Sequence, residues 1–452
     1  GQRRMPDESG RTAGSGRKQS SGLNRRRFLA GAGAGGATAL AGCTGIFGGG
    51  GGGGPIKIGG VYLLSGLAEA LGAASEAAVE TAVDVINENG GIDGREVETF
   101  IRDHGNNPQG QVRSLVQEEN VDALLGMTSS GVTLNTMPTW ESLGVPVILT
   151  DIGTPFATEH DEETYGDSAA GIDNLFRTNA NSSINCYAIA KYAAENFPEG
   201  TRVANLGPDY AYGQQCWDYF KAYADGLGAG FEYGESGFPS LGASDMTPQI
   251  NQIIADEPDV LFTSVWAADV VTFVNQAAEA GLYDVVEDQF ATISAAPDVF
   301  AALGDTVPDG LHWNGWYYHT AFDNDVNDQF VSRYAELYQD SDLVPLPSFT
   351  GGSSYAAPFA YKQAIESAGS TNSDDIVAEL EGMTLDSPFG EITLDPDSHQ
   401  ANSPTVIGET SYDTGDMDLP YDGATLTNTQ TTTLDRETSL DLLEGSGLPP
   451  GV

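Results

Sequence analysis

The sequence predicts an α/β protein built as two Rossmann-like lobes, each a parallel sheet covered on both faces by helices. Three observations lead there. Short apolar runs alternate with amphipathic stretches of 10–20 residues from Ile56 onward, the pattern of β-α-β units. About ten such runs fall within some 350 residues, more than one doubly wound sheet holds comfortably. The chain of 452 residues, 40% hydrophobic and 9% aromatic, is long enough for two or three domains with real cores.

The elements follow in order. Ile56–Leu64 reads as a buried strand ending in Ser65-Gly66. Leu67, Leu71, Ala74, Ala78, Ala82 and Val85 then mark one helical face, closed by Asn89-Gly90-Gly91. Strands are predicted at Val97–Arg102, Val121–Gly126 and Val145–Leu149, with helices at Gln109–Glu119 and Gly131–Leu143 between them. After an acidic, irregular stretch come strands at Leu175–Thr178, Val203–Leu206, Val260–Ser264, Phe290–Ile293 and Leu311–Gly315. Helices are predicted at 184–196, 212–227, 246–256, 267–280, 322–339, 353–368 and 373–382. Beyond about residue 415 the Thr/Asp/Gly-rich composition suggests a peripheral tail, 416–452. Open α/β sheets bind ligands beyond the carboxyl ends of their strands, so two facing lobes would share one cleft.

Charge narrows the function. Nineteen Lys and Arg stand against 65 Asp and Glu, a formal net of −46, which excludes a phosphate-binding basic face and hence nucleic acid. From Cys43 onward 11 basic residues face 63 acidic ones, a net of −52, with lysine only at 57, 191, 221 and 362. Acids spread along the whole chain point to an extreme halophile, where salt screens self-repulsion.

The first 42 residues read as an address. Asn24-Arg-Arg-Arg-Phe-Leu29 is a twin-arginine pattern, and a mildly apolar run too short to span a bilayer follows it. Leu40-Ala-Gly-Cys43 resembles a lipoprotein processing box, so Cys43 is the predicted lipidation site, and 43–55 with Gly48–Gly54 a flexible tether. Gly31, Gly33 and Gly36 match G-x-G-x-x-G by accident, since no strand precedes them. Cys186 and Cys216 fall on helices of one lobe, and spacing leaves open whether they pair.

Several segments together resemble one family. They are Ile58-Gly-Gly-Val-Tyr-Leu-Leu-Ser-Gly66, then Ala82-Val-Asp-Val-Ile-Asn-Glu-Asn-Gly-Gly-Ile-Asp-Gly-Arg95, which is the most specific, and Asp103 with Pro108. Gly126-Met-Thr-Ser-Ser130, Phe176-Arg-Thr178, Asp209-Tyr-Ala-Tyr-Gly213 and Ala364-Ile-Glu-Ser-Ala-Gly369 continue in order. Over roughly 56–412 the chain resembles the leucine/isoleucine/valine-type substrate-binding proteins of ABC importers, with a type I periplasmic-binding fold. The resemblance implies two lobes joined by a three-strand hinge, 56–180 plus 318–383 and 181–317 plus 384–415, closing on a small ligand. It implies no catalysis and no cofactor. The implied partners are a small solute and membrane permease subunits, and the protein is expected to be a monomer on the outer face of the cell membrane.

The ligand residues follow from the same comparison. Ser129 and Ser130 start a helix whose free N–H groups suit a carboxylate. Asp151 and Gly153, or Thr154 with a one-residue shift, match the amino-acid head site. Tyr212, beside Tyr210, and Trp266 match aromatic residues lining the ligand. Ser294 falls where amino-acid binders carry a Glu for the ammonium group, so either Asp151 replaces that acid or the ligand has no ammonium. The segment Ser387–His399 through Ile407-Gly-Glu409 is closer to the amide- and urea-binding branch. Two other classes fit the residues less well. A secreted hydrolase lacks G-x-S-x-G, H-E-x-x-H and any His/Cys/Asp cluster, its five histidines being dispersed at 104, 160, 312, 319 and 399, with no metal spacing. A ligand-sensing receptor of the same fold would continue into a membrane helix and signalling domain.

The charge makes a test. Electrostatic screening shortens from about 10 Å near 0.1 M salt to about 3 Å at 1 M. The melting temperature should therefore climb steeply with KCl; a melting curve that does not move between about 0.1 and 3 M contradicts the halophilic reading.

Overall fold

The computed structural model describes residues 53–452; the twin-arginine segment, Cys43 and most of the glycine tether lie outside them. Fourteen strands are described: β1 (Ile56–Tyr62), β2 (Val97–Asp103), β3 (Ala123–Gly126), β4 (Val147–Leu149), β5 (Leu175–Arg177), β6 (Arg202–Leu206) and β7 (Glu232–Gly237), followed by β8 (Val260–Thr263), β9 (Asp288–Ala291), β10 (His312–Gly315), β11 (Thr384–Ser387), β12 (Gly390–Thr393), β13 (Thr405–Ser411) and β14 (Thr425–Thr432).

The first sheet is wholly parallel, in the order β2-β1-β3-β4-β5. Both of its faces are covered, which explains the unbroken apolar runs. Ile58, Leu125, Ile148 and Phe176 face one core and Val61, Leu124, Val147 and Leu175 the other. The second sheet runs β14-β13-β10-β9-β8-β6-β7. Its five central and outer strands β7, β6, β8, β9 and β10 are parallel, while β13 and β14 add antiparallel. One large core, including Phe220, Phe262, Phe290 and Trp313, packs this sheet.

The chain passes between the two sheets three times: from β5 into the helix Ser182–Asn196, from β10 towards the helix Asp325–Tyr338, and from Ala401 to β13. The first and third crossovers lie side by side. Arg177 bridges Gln400 in parallel, its N–H bonding to His399 O and its carbonyl accepting from Ala401 N. Thr405 Oγ1 donates to Gly315 O at 3.0 Å, bringing in the second crossover.

Two boundaries differ from expectation. The hairpin β11–β12 belongs to the first lobe, because Leu385 and Ile392 pack with Tyr361, Ile376 and Leu380, so the third crossover comes near residue 402 rather than 383. The segment 416–452 is no peripheral tail. β14 pairs with β13 along its length, the helix Arg436–Leu442 follows, and the last residues are built into the second lobe. Tyr219 OH donates to Pro449 O at 2.5 Å, Ser183 Oγ to Pro450 O at 2.7 Å, and Asn181 Nδ2 to Gly451 O. Arg436 pairs with Glu159, which is 2% exposed, in the first lobe. Threonine supplies β14 with strand propensity and Leu426 is its one apolar residue, so beyond that buried start the pairing of backbone groups makes it a strand.

Cys186 and Cys216 are buried and free, the Cys186 thiol donating to Cys216 O at 3.3 Å. Among the described residues no helix is long and apolar enough to cross a membrane, and no group of three potential metal ligands occurs.

Gly451 has φ +71°, and a Cβ there would stand 2.5 Å from Pro155 Cβ. Gly451→Val should therefore destabilise the protein by about 1–3 kcal/mol from overpacking and about 1–2 kcal/mol from the left-handed backbone, measured by denaturant unfolding. An unchanged midpoint would return this segment to the periphery.

Candidate functional site

Ten residues line one cavity, and each sits just past the carboxyl end of a strand. Thr128, Ser129 and Ser130 follow β3, and Asp151 and Gly153 follow β4, from the first lobe. Tyr210 and Tyr212 follow β6, Trp266 follows β8, Ile293 follows β9 and Trp316 follows β10, from the second. The space among them, open solvent at the mouth included, is about 260 Å³. The lobes approach closely here. A Cβ on Gly153 would lie 2.7 Å from Tyr212 Cε2 and 2.8 Å from Ser182 Oγ, so only glycine fits between the two lobes at this point.

The structure brings together Ser129, Ser130, Asp151, Gly153, Tyr212 and Trp266, as the sequence suggested. It does not bring Thr154 or Ser294 to the cavity wall. Thr154 turns its hydroxyl to accept from Phe156 N at 3.3 Å, capping a short 3-10 turn. Ser294 is fully buried, its N–H bonding Asn314 O at 3.1 Å, and Ile293 takes its place at the wall. Both residues lie in the turn after β9, beyond the strand's regular alternation. Thr128, Ile293 and Trp316 were missed, although Trp316 is the first residue after a strand ending at Gly315 and was findable from that alone.

The α-helix Ser130–Leu143 opens into the cavity without a side-chain cap, so its first N–H groups are available to an anion. Ser129, at φ 76° and ψ 120°, holds a conformation rare outside glycine. Ser130 Oγ accepts from Thr154 N at 3.1 Å, linking the loops after β3 and β4, and keeps its own proton to donate.

Asp151 is the one charged side chain among the ten, and it is 5% exposed. Thr128 Oγ1 accepts from Leu63 N at 3.2 Å and donates to Asp151 Oδ2 at 3.0 Å. Burial pushes the Asp151 carboxyl well above the usual carboxylate range, and the Thr128 hydrogen bond only partly opposes this. No Lys, Arg or His lines the cavity.

The loop bearing Asp151 is held by Arg177. Its buried guanidinium donates to Ile152 O at 3.1 Å, Thr154 O at 2.6 Å, Thr158 Oγ1 at 2.6 Å and Gln400 Oε1 at 2.6 Å. Burial lowers its pKa to about 9, which leaves it protonated at neutral pH.

Two sheets whose parallel strands present their carboxyl ends across a shared cleft, joined by three crossovers, define a two-lobed solute-binding protein of type I. The chain belongs to the periplasmic binding protein family, whose match covers residues 55–416; the family binds solutes and is not enzymatic. Among its relatives is the Leu/Ile/Val-binding protein homolog 3 of Brucella melitensis biotype 1, 26% identical over 344 residues, or 75% of this chain and 86% of that protein. The fold is shared with a leucine binding protein (LivK) of Thermotoga maritima MSB8, at TM-score 0.69 and 20% identity over 83% of this chain and 98% of that one. It is shared equally with an ABC-transporter solute binding protein of Rhodopseudomonas palustris BisB5 in complex with 3,4-dihydroxy benzoic acid, at TM-score 0.71 and 21% identity over 85% and 99% of the two chains.

Arg177→Met should leave Thr154 O and Thr158 Oγ1 without their buried donor, while Ile152 O keeps Asn179 Nδ2. At about 1–3 kcal/mol for each orphaned group, the expected loss exceeds about 2 kcal/mol in denaturant unfolding. A loss below about 1 kcal/mol would show that the clamp is dispensable.

Proposed function

We propose that the protein is the extracellular solute-binding component of an ABC importer and that its solute is a small zwitterion of the branched-chain amino-acid type. One observation carries the reading: the cavity holds a buried carboxylate, Asp151, with no protein cation beside it. A ligand cation would compensate that charge, and the uncapped helix start at Ser129–Ser130 would take the ligand carboxylate at the other end. Tyr212, Trp266 and Trp316 would enclose the apolar part. A neutral amide or urea would leave Asp151 without a counter-charge, and a benzoate would bring a second anion beside it. Both are therefore weaker readings of this cavity than a zwitterion.

Export by the twin-arginine route, anchorage through a lipid on Cys43 and delivery to permease subunits complete the proposal, supported by the sequence motifs around Arg25–Arg27 and Cys43. Cys43→Ser should release the protein into the medium or leave an unprocessed precursor. A mutant that is still lipidated and processed would remove Cys43 from that role.

The ligand arm is tested by thermal shift in concentrated KCl against amino acids, amides and urea, since a bound solute raises apparent stability. With the best zwitterion, Asp151→Asn should weaken binding by about 2–5 kcal/mol, as for other buried charge pairs broken on one side. The pH dependence has a definite sign. Asp151 must be ionised to meet a cation, and burial holds its pKa above the carboxylate range. Affinity should then rise with pH from about 4 up to that raised value and level off above it, with the dependence gone in Asp151→Asn. A zwitterion that binds the mutant unchanged removes Asp151 from the site.

A further inference from the structure

We propose that the cationic end of the solute is an N-methylated, quaternary ammonium group, making the ligand a betaine-type zwitterion; this rests on the reading of the cavity as a zwitterion site. Aromatic rings dominate the wall. Four of the ten lining residues are Tyr210, Tyr212, Trp266 and Trp316, delivered by three different strands. Tyr210 and Tyr212 have centroids 6.1 Å apart with planes inclined at 29°. They stand against the Asp151 loop. Tyr212 Cε2 is the nearest atom to the Cβ position of Gly153, and burial above all, with a small contribution from the Asp151 charge, raises the Tyr210 phenol. Several rings beside one buried carboxylate is the chemistry that recognises an alkylated cation, through cation–π attraction and charge.

The hydrogen-bond inventory points the same way. A primary ammonium presents three N–H donors, and each needs an acceptor once water is excluded. The carbonyls next to Asp151 are already taken. Ile152 O accepts from Arg177 Nη1 and from Asn179 Nδ2, and Gly153 O accepts from both the N–H and the hydroxyl of Ser182. The Tyr212 hydroxyl pairs with Thr292 Oγ1 at 3.2 Å. Thr128 Oγ1 already accepts from Leu63 N and donates to Asp151. What remains for the cation is the carboxylate, the Ser129 and Tyr210 hydroxyls and the rings. That set holds few acceptors for the three N–H groups of a primary ammonium and suits a trimethylammonium, which needs none.

The test is a methylation series at fixed anionic end. Glycine, N-methylglycine, N,N-dimethylglycine and N,N,N-trimethylglycine are titrated calorimetrically into the full-length protein in about 3 M KCl, with leucine and choline as further arms. Affinity should rise with each methyl and by at least a hundredfold across the series. Choline should bind more weakly than the trimethylated zwitterion because it lacks the carboxylate. Trp266→Leu should lower the affinity for trimethylglycine at least tenfold, and Trp266→Phe, which preserves a ring, should retain most of it. Leucine or glycine binding more tightly than trimethylglycine overturns the inference and leaves the zwitterion reading standing. Binding of none of the zwitterions overturns both.

Discussion

A buried guanidinium sets the geometry on which the rest depends. Arg177 ends the last strand of the first sheet and sits where the first crossover runs beside the third. Its donors reach two carbonyls of the site loop, the hydroxyl that follows them, and Gln400 on the neighbouring crossover. Gln400 in turn donates to Asn179 O at 2.8 Å and to Ala401 O at 2.9 Å, so one network joins hinge to site. Only the planar fork of arginine spans acceptors in several directions without moving; lysine would offer a point charge on a flexible stem. A charge so deeply buried is tolerated because each of these contacts is a charge-assisted hydrogen bond.

The consequence for the cleft is electrostatic. Arg177 spends its donors on neutral oxygens and makes no ion pair with Asp151, which projects from the same loop. The carboxylate is thus held rigidly, desolvated and uncompensated. The second lobe brings rings to it rather than cations, and the first lobe brings an uncapped helix start and hydroxyls. The chain carries a large negative charge overall, so a positive solute end meets a favourable field before it meets Asp151. The same loop continues to Glu159, which Arg436 grips from the other lobe, so residues beyond the family match also bear on the cleft.

Much of this was legible in the residues. The parallel core strands announce themselves because both faces are buried, and Ile56–Tyr62 or Val260–Thr263 cannot be read otherwise. The family resemblance singled out Ser129, Ser130, Asp151, Gly153, Tyr212 and Trp266, and each closely follows an apolar run, as ligands gathering beyond strand carboxyl ends would require. What failed has physical causes. β14 is a threonine ladder with little apolar signal, and β7 fully buries only Gly237. The hairpin β11–β12 looks like a loop until Leu385 and Ile392 find partners from distant helices. Ser294 lies off the cavity wall because the chain turns after β9, and a turn is not legible from strand alternation.

The central claim is that Asp151 sits in the empty cleft as a carboxyl pushed towards its neutral form and ionises to meet the solute's cation. Calorimetry of solute binding at one mildly acidic pH, in two buffers of different ionisation enthalpy, counts the protons exchanged. The account predicts that protons are released on binding to the wild type, with the release abolished in Asp151→Asn. A binding enthalpy that is the same in both buffers for the wild type, or protons taken up, would contradict it.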